Sequence, residues 1–239
     1  MSKDSFEYLC SELSPHIAKQ NTNFHNAIAV CHRVAITLYW LADSACYRTI
    51  GNLFGAGKST VCTIVKQVCE VLAGILLPWY CTSPKFGRLC ELKRIPSIFV
   101  GWPAKVHDTC VFKNSLVFCH CCARTFLPIQ LSRVISSVRV PPLIVGDSAH
   151  ALSDWLMKPY TDNGNLTREQ VNFNKILSMT RVVVENAYGR LKGRFRSIAK
   201  RLDLNAENVC LVIAACCVLH NFCEVMGEDF NEEFFLVTH

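Results

Sequence analysis

The chain has 239 residues, 51% of them hydrophobic and 18% charged, enough apolar material for a sizeable core and too much for a disordered chain. Its 25 Lys and Arg outnumber 19 Asp and Glu, and the formal charge of +6 suits a polyanionic partner. Fifteen cysteines, an odd number without a secretory signal pattern, argue against a disulfide framework and lead us to expect a soluble intracellular protein. The longest apolar run, residues 209–219, is shorter than the ~20 residues a membrane span needs, so no membrane role is expected.

Residues 1–25 are polar and weakly patterned, with Phe6, Leu9, Cys10 and Leu13 spaced for one or two helical turns. A firmer helix is expected over about 26–41, where Ile28, Val30, Cys31, Val34, Ile36, Leu38 and Leu41 supply an apolar face. Residues 47–54 predict a short helix, Gly55-Ala56-Gly57 a tight turn, and Ser59 the N-cap of a second helix. In that helix Val61, Ile64, Val65, Val68 and Leu72 face inward and Thr60, Thr63, Lys66 and Gln67 face out. Such a unit is the pattern of a helix-turn-helix, whose second helix reads DNA; an ordinary helical hairpin has the same spacing. GAGKST in this stretch is a near miss for a phosphate-binding loop. Asn52 stands where the first Gly is required and a helical pattern stands where a strand is required, so no nucleotide is expected.

Residues 78–92 read as a connector, and 95–100 as a short strand. Asp108 is placed to cap a helix reaching about Cys119. Cys119 and Cys122, with His220 and Cys223, are zinc ligands in kind, but the two pairs lie far apart and the second sits on an apolar helix. We read them as buried thiols. Residues 143–146 read as a buried strand ending at Asp147, where α/β folds place catalytic carboxylates; a turn Asp capping the next helix, with Ser148 beside it, fits equally. WLMKPY and the segment 163–165 read as a surface excursion. Residues 208–223 are nearly all apolar and predict a core helix, with His220 a structural histidine.

Residues 173–201 concentrate the charge. From Arg181 to Arg201, the cations Arg181, Arg190, Lys192, Arg194, Arg196, Lys200 and Arg201 stand against Glu185 alone, a local excess equal to the net charge of the chain. Val184, Ala187, Tyr188, Leu191 and Phe195 form an amphipathic stripe, with Arg181, Glu185, Lys192 and Arg196 on the neighbouring face. One acid toward a core and many cations toward solvent suits a metal ligand beside a polyanion. The competing reading is an exposed helix with an Arg181–Glu185 pair. Beyond Arg201 there is no Lys or Arg, and seven acids follow, a segment able to shield the basic stretch.

VGDSAHALSDWLMKPY, FNKILSMTRVVVENAYGRLKGRFRSI and AACCVLHNFCE resemble the C-terminal half of Harbinger-type DDE transposases and the nucleases derived from them. YRTIGNLFGAGKSTV resembles the helix-turn-helix preceding the catalytic domain there, and GWPAKVHDTCVFKNS the segment joining the first two catalytic carboxylates. The resemblance runs from about residue 26 to 233. It implies an RNase H-like α/β fold in which Asp, Asp and Glu bind Mg²⁺ or Mn²⁺ and cleave DNA phosphodiesters. The second Asp corresponds to Asp147 and the Glu to Glu185, the expected catalytic and metal-binding pair. Expected DNA contacts are Thr60, Thr63, Lys66 and Gln67 in the helix-turn-helix and Arg181, Lys192 and Arg196 in the basic segment. The resemblance also implies a Myb-like protein partner and work in the nucleus.

One departure is large. The family's first Asp lies on the first strand of the sheet, ahead of the GWP segment. Between Pro78 and Gly101 this chain offers no such motif, and Glu91 is the only acid there. Ala104 and His150 stand where the family usually has Gly and Tyr. Asp108 corresponds to an acid present in addition to the triad, opening a helix. The expected architecture is a helix-turn-helix region over 1–77, a connector over 78–94 and a truncated RNase H-like endonuclease domain over 95–239. Two functions follow: a metal-dependent nuclease impaired by the missing Asp, or a non-catalytic DNA-binding or partner-binding derivative.

Overall fold

The computed structural model describes residues 1–21, 26–43, 45–81, 94–95, 97–102, 105–126, 130 and 132–230. Two compact units emerge: Met1–Gly101 with Ala187–His239, and Trp102–Asn186. The boundaries differ from those expected at 77 and 94, because the C-terminal segment returns to the N-terminal helices. Most of the expected connector, residues 82–93, lies outside the described residues, as do Glu91, Ala104 and the acidic residues Glu232 and Glu233.

The first unit is helical. α1 (Lys3–Ile17) opens at Ser2, whose hydroxyl accepts from the Ser5 amide. It buries Leu9, Leu13 and Ile17, so the weak pattern of the first residues is a full helix. α2 (Val30–Asp43) starts later than expected and buries Val34, Ile36, Trp40 and Leu41. α3 (Tyr47–Phe54) has the predicted bounds and ends at Gly55, whose φ of 66° is the left-handed value that glycine adopts at little cost. The turn is tight: the Ala56 amide donates to Gly51 O at 2.8 Å, and a Cβ on Gly51 would lie 2.4 Å from Ala56 O.

α4 (Lys58–Val71) begins one residue ahead of the expected cap. Its N-cap is Gly57, without a side-chain bond, so Ser59 is already helical. All five residues expected inward, Val61, Ile64, Val65, Val68 and Leu72, are buried. The helix continues through a π turn, Leu72–Leu76, into α5 (Leu77–Tyr80). Pro78, near the start of α5, has no N–H to give to the helix ladder.

Residues 97–100 and Ile95 are not a strand. The backbone of Ile95 finds its partners on one side chain instead: its N–H donates to Asn221 Oδ1 at 2.8 Å and its C=O accepts from Asn221 Nδ2 at 2.7 Å. Asn221 belongs to α9 (Ala206–Val225), which Asn205 caps and which buries Val212 and all of residues 215–223. α9 and the helix Lys58–Tyr80 are long and apolar enough to cross a membrane by length and composition alone. Both contribute buried residues to a shared core cluster, the behaviour of core helices.

The second unit holds α6 (Asp108–Lys113) and α7 (Leu116–Cys122), one predicted helix divided at Asn114 and recapped by the Ser115 hydroxyl. β1 (Arg133–Ile135) and β2 (Val138–Val140) form a hairpin that the sequence pattern did not announce. β3 (Ile144–Val145) is the expected strand, and it pairs in parallel with β4 (Leu156–Met157). β4 comes from WLMKPY, so that stretch belongs to the fold. The long helix α8 (Arg168–Arg194) passes from this unit into the first, stops at Phe195, and is followed by a short 3-10 turn at Arg196–Ala199.

Candidate catalytic and DNA-contact residues

Asp147 lies just beyond the C-terminal end of β3. Parallel pairing holds the strand there: the Ile144 amide donates to Trp155 O and the Gly146 amide to Met157 O, both at 2.8 Å. Gly146 allows the turn to close, since an added Cβ would meet Leu156 Cδ2 at 3.1 Å and His150 Cδ2 at 3.2 Å. Asp147 Oδ1 accepts from the Ala149 amide at 3.0 Å and stands 3.7 Å from His150 Nε2. Asp147 thus stands at a strand end and ties its own turn; it caps no helix, since the next one begins only at Arg168.

His150 escaped sequence reasoning as a neighbour of Asp147. Its ring packs edge-on against Phe112 with centroids 5.0 Å apart, within a group that includes Phe118 and Trp155. The i, i+3 spacing from Asp147 was the available signal. The Thr109 hydroxyl donates to Ala149 O at 3.3 Å, which brings the start of α6, and so Asp108, to the same turn.

Glu185 is exposed on α8, a correction to the expectation that it faces a core. The buried side of the expected stripe is its C-terminal half, Ala187, Leu191 and Phe195, while Val184 and Tyr188 are exposed. Among the described residues neither Arg181 nor Glu185 forms an ion pair, so the i, i+4 pair is not made either. Among those residues, too, no group of three His, Cys, Asp or Glu side chains comes together to hold a metal ion. The described residues thus present no three-carboxylate cation site.

The basic segment is divided. Arg190 and Arg194 turn inward to Glu224 of α9: Arg190 Nη2 lies 3.0 Å and Arg194 Nη1 2.5 Å from Glu224 Oε1, and all three side chains are nearly buried. Arg194 also reaches His220 Nδ1 at 3.1 Å and Glu228 O at 3.0 Å. Burial opposes charge on Glu224, but the two guanidiniums outweigh it and hold the carboxyl below its ordinary range. His220 is fully buried beside them, the structural histidine expected. Lys192, Arg196 and Arg181 are exposed. Arg196 sits in the 3-10 turn after Phe195, so the expected continuous cationic face ends there.

On α4, Thr60, Thr63 and Lys66 are exposed. The Thr63 hydroxyl donates back to Ser59 O at 3.0 Å, and Lys66 lies 3.9 Å from Glu70. Gln67 is partly buried, and its Oε1 already accepts from the buried Arg33 at 2.5 Å. The thiols behave as buried groups where they are buried: desolvation pushes Cys69 and Cys217 up to about 12 and Cys81 to about 11. Cys119 and Cys122, read from sequence as buried, are exposed.

The DDE superfamily endonuclease profile matches residues 90–221, more than half of the chain. The chain belongs to the DDE superfamily endonuclease family. It is 24% identical to the ALP1-like protein of Arabidopsis thaliana over 285 positions, covering 92% of this chain and 68% of that protein. It is 23% identical to the Arabidopsis protein Antagonist of Like Heterochromatin Protein 1 over 300 positions, covering 100% of this chain and 74% of the other. Human HARBI1, whose name describes it as a nuclease, is 26% identical over 145 positions, 59% of this chain and 37% of its own length. No solved structure matches the chain. The second alignment runs over 300 positions and takes in all 239 residues, so 61 of its positions have no counterpart here.

Proposed function

We propose that this chain is a DNA-binding derivative of the Harbinger-type transposases, with the strand-cleaving chemistry of its family impaired by loss of the first catalytic Asp. The observation that carries this reading is the interval between Pro78 and Gly101, where Glu91 is the only acid, set against a relative whose alignment holds 61 unmatched positions. An internal block carrying the first strand and its Asp accounts for both. What remains of the RNase H-like domain is β3, β4 and α8, with Asp147 and Glu185 as the inherited second and third acids. Two carboxylates hold a hard cation more weakly than three.

DNA would be held through two surfaces. α3, the Gly55 turn and α4 supply a helix-turn-helix with Thr60, Thr63 and Lys66 outward and Gln67 at its margin; Lys192 and Arg196, with Arg181, would contact phosphates. A Myb-like partner and nuclear work follow from the same family reading. The name of the second Arabidopsis relative, an antagonist of a heterochromatin protein, supports a chromatin setting.

A second reading, a Mg²⁺- or Mn²⁺-dependent DNA endonuclease using Asp147 and Glu185, is favoured by the family profile and by the name of HARBI1. One experiment separates them: a calorimetric Mn²⁺ titration of the folded chain, with plasmid nicking and duplex binding assayed on the same sample. Duplex binding without Mn²⁺ heat or nicking is expected. Nicking that disappears in Asp147→Ala and Glu185→Ala would overturn the first reading and establish the second.

A further inference from the structure

The hairpin of β1 and β2 is bare on both of its faces. Every residue from Arg133 to Arg139 is exposed, with Val134 at 68%, Ile135 at 58% and Val138 at 62%. A two-stranded hairpin by itself is marginally stable in water, so this one gains from a partner that covers both faces. Its turn is also strained. Ser136 and Ser137 have φ of 47° and 71°, left-handed values that a two-residue hairpin turn requires and that Gly and Asn adopt most readily. Two serines there bring hydroxyls to the tip against backbone preference, and strain of this kind concentrates where a segment meets a ligand.

Charge and register decide what that ligand is. Between Asp108 and Asp147 there is no Asp or Glu, and the cations are Lys113, Arg124, Arg133 and Arg139. Arg124 pairs with Asp154, whereas among the described residues Arg133 and Arg139 pair with no acid. Arg133 stands opposite Val140 and Arg139 opposite Val134, so the two arginines leave opposite faces of the ribbon. A flat acidic protein surface would meet only one of them. A groove with an anionic wall on either side meets both.

The dimensions select the groove. At ~3.4 Å per residue, Arg139 stands ~7 Å and Arg133 ~10 Å behind the Ser136–Ser137 tip. The major groove of B-DNA is about 8.5 Å deep and about 12 Å wide and admits a two-stranded ribbon, whereas the minor groove is only about 6 Å wide. A tip at the floor of the major groove leaves one arginine beside each phosphate wall.

We propose that the β1–β2 hairpin enters the major groove of duplex DNA tip first, with Arg133 and Arg139 on the two phosphate walls. At the floor the hydroxyls of Ser136 and Ser137 bond base edges, and Ile135 and Val138 meet thymine methyl groups. This inference rests on the DNA-binding reading above and adds to it a contact in the second unit.

The test is the affinity of the full chain for a duplex at several salt concentrations, beside a single strand of the same length. Arg133→Gln with Arg139→Gln, at exposed positions and with helix content checked by circular dichroism, should reduce the duplex slope of log K against log salt by about 2. The slope on the single strand, which has no groove, should stay as it is. Ser136→Gly with Ser137→Gly relieves the turn and removes both hydroxyls, so duplex binding should weaken by about fivefold or more at an unchanged slope. A wild type that does not bind duplex DNA would overturn this inference together with the reading it rests on. A wild type that binds, with a slope unmoved by the paired arginine substitutions, would overturn the hairpin contact alone. So would an equal fall in slope on the single strand, or glycine substitutions that leave duplex affinity intact.

Discussion

Asn221 shows how much one buried amide can hold. With no exposure, it bonds both backbone groups of Ile95, donates to Tyr80 O at 2.9 Å and approaches Cys81 Sγ at 3.3 Å. Asn221→Ala strands those groups without water and should cost about 2 kcal/mol, read as a fall in the urea midpoint. An unchanged midpoint would mean that the Ile95 segment contributes nothing to the fold. Glu228 works at the other end of α1. It accepts from the Ser2 amide at 2.8 Å and the Ser2 hydroxyl at 2.6 Å, and lies 3.6 Å from the terminal amine. Burial raises its carboxyl, but the Ser2 and Ser5 hydroxyls, the Ser2 amide and the amine together bring it down to about 2, from 4.5. A carboxyl depressed by folding stabilises above its unfolded value and loses that contribution as pH falls through the folded one. The wild type should therefore lose stability between pH about 4.5 and about 2, and Glu228→Gln should be less stable at pH 7 with a flatter acid limb. Parallel acid limbs in the two proteins would refute the assignment. Neither Asn221 nor Glu228 was legible in the sequence, because their partners lie far away along the chain.

Elements were legible where periodicity was strong. α3 has the predicted bounds, and the five inward positions of α4 and its extension are all buried, since a 3.6-residue stripe leaves little choice of face. The cap was not legible: Ser59 has the right chemistry, but Gly57 already stands at the end of the Gly55 turn. That turn depends on Gly51. A methyl there would collide with Ala56 O, so Gly51→Ala should destabilise the chain by roughly 1–3 kcal/mol despite alanine's better helix propensity. An equal or raised melting temperature would show that the turn can open without cost. α8 misled in the opposite way. Its sequence has an apolar stripe, yet Val184 and Tyr188 are exposed and only Ala187, Leu191 and Phe195 are covered. A stripe specifies which residues share a side; what lies against that side is a tertiary matter.

At the scale of the whole molecule, charge was counted correctly and placed only in part. The excess of the basic segment equals the net charge, but Arg190 and Arg194 neutralise Glu224 inside the first unit, and Arg201 stands 3.4 Å from Asp203. Fewer cations therefore face a polyanion than the count suggests. If Lys192 and Arg196 each displace a counterion on duplex DNA, replacing both with Gln should reduce the slope of log K against log salt by about 2. An unchanged slope would remove them from the DNA surface. Family membership and the helical core were determined by the sequence itself, because long ordered motifs and helical periodicity are local properties of the chain. Tertiary structure alone decided that WLMKPY supplies the parallel partner of β3, that the C-terminal helix completes the N-terminal unit, and which arginines are consumed by a buried glutamate. Those outcomes depend on which surfaces meet, and burial free energy acts on surfaces brought together from distant parts of the chain.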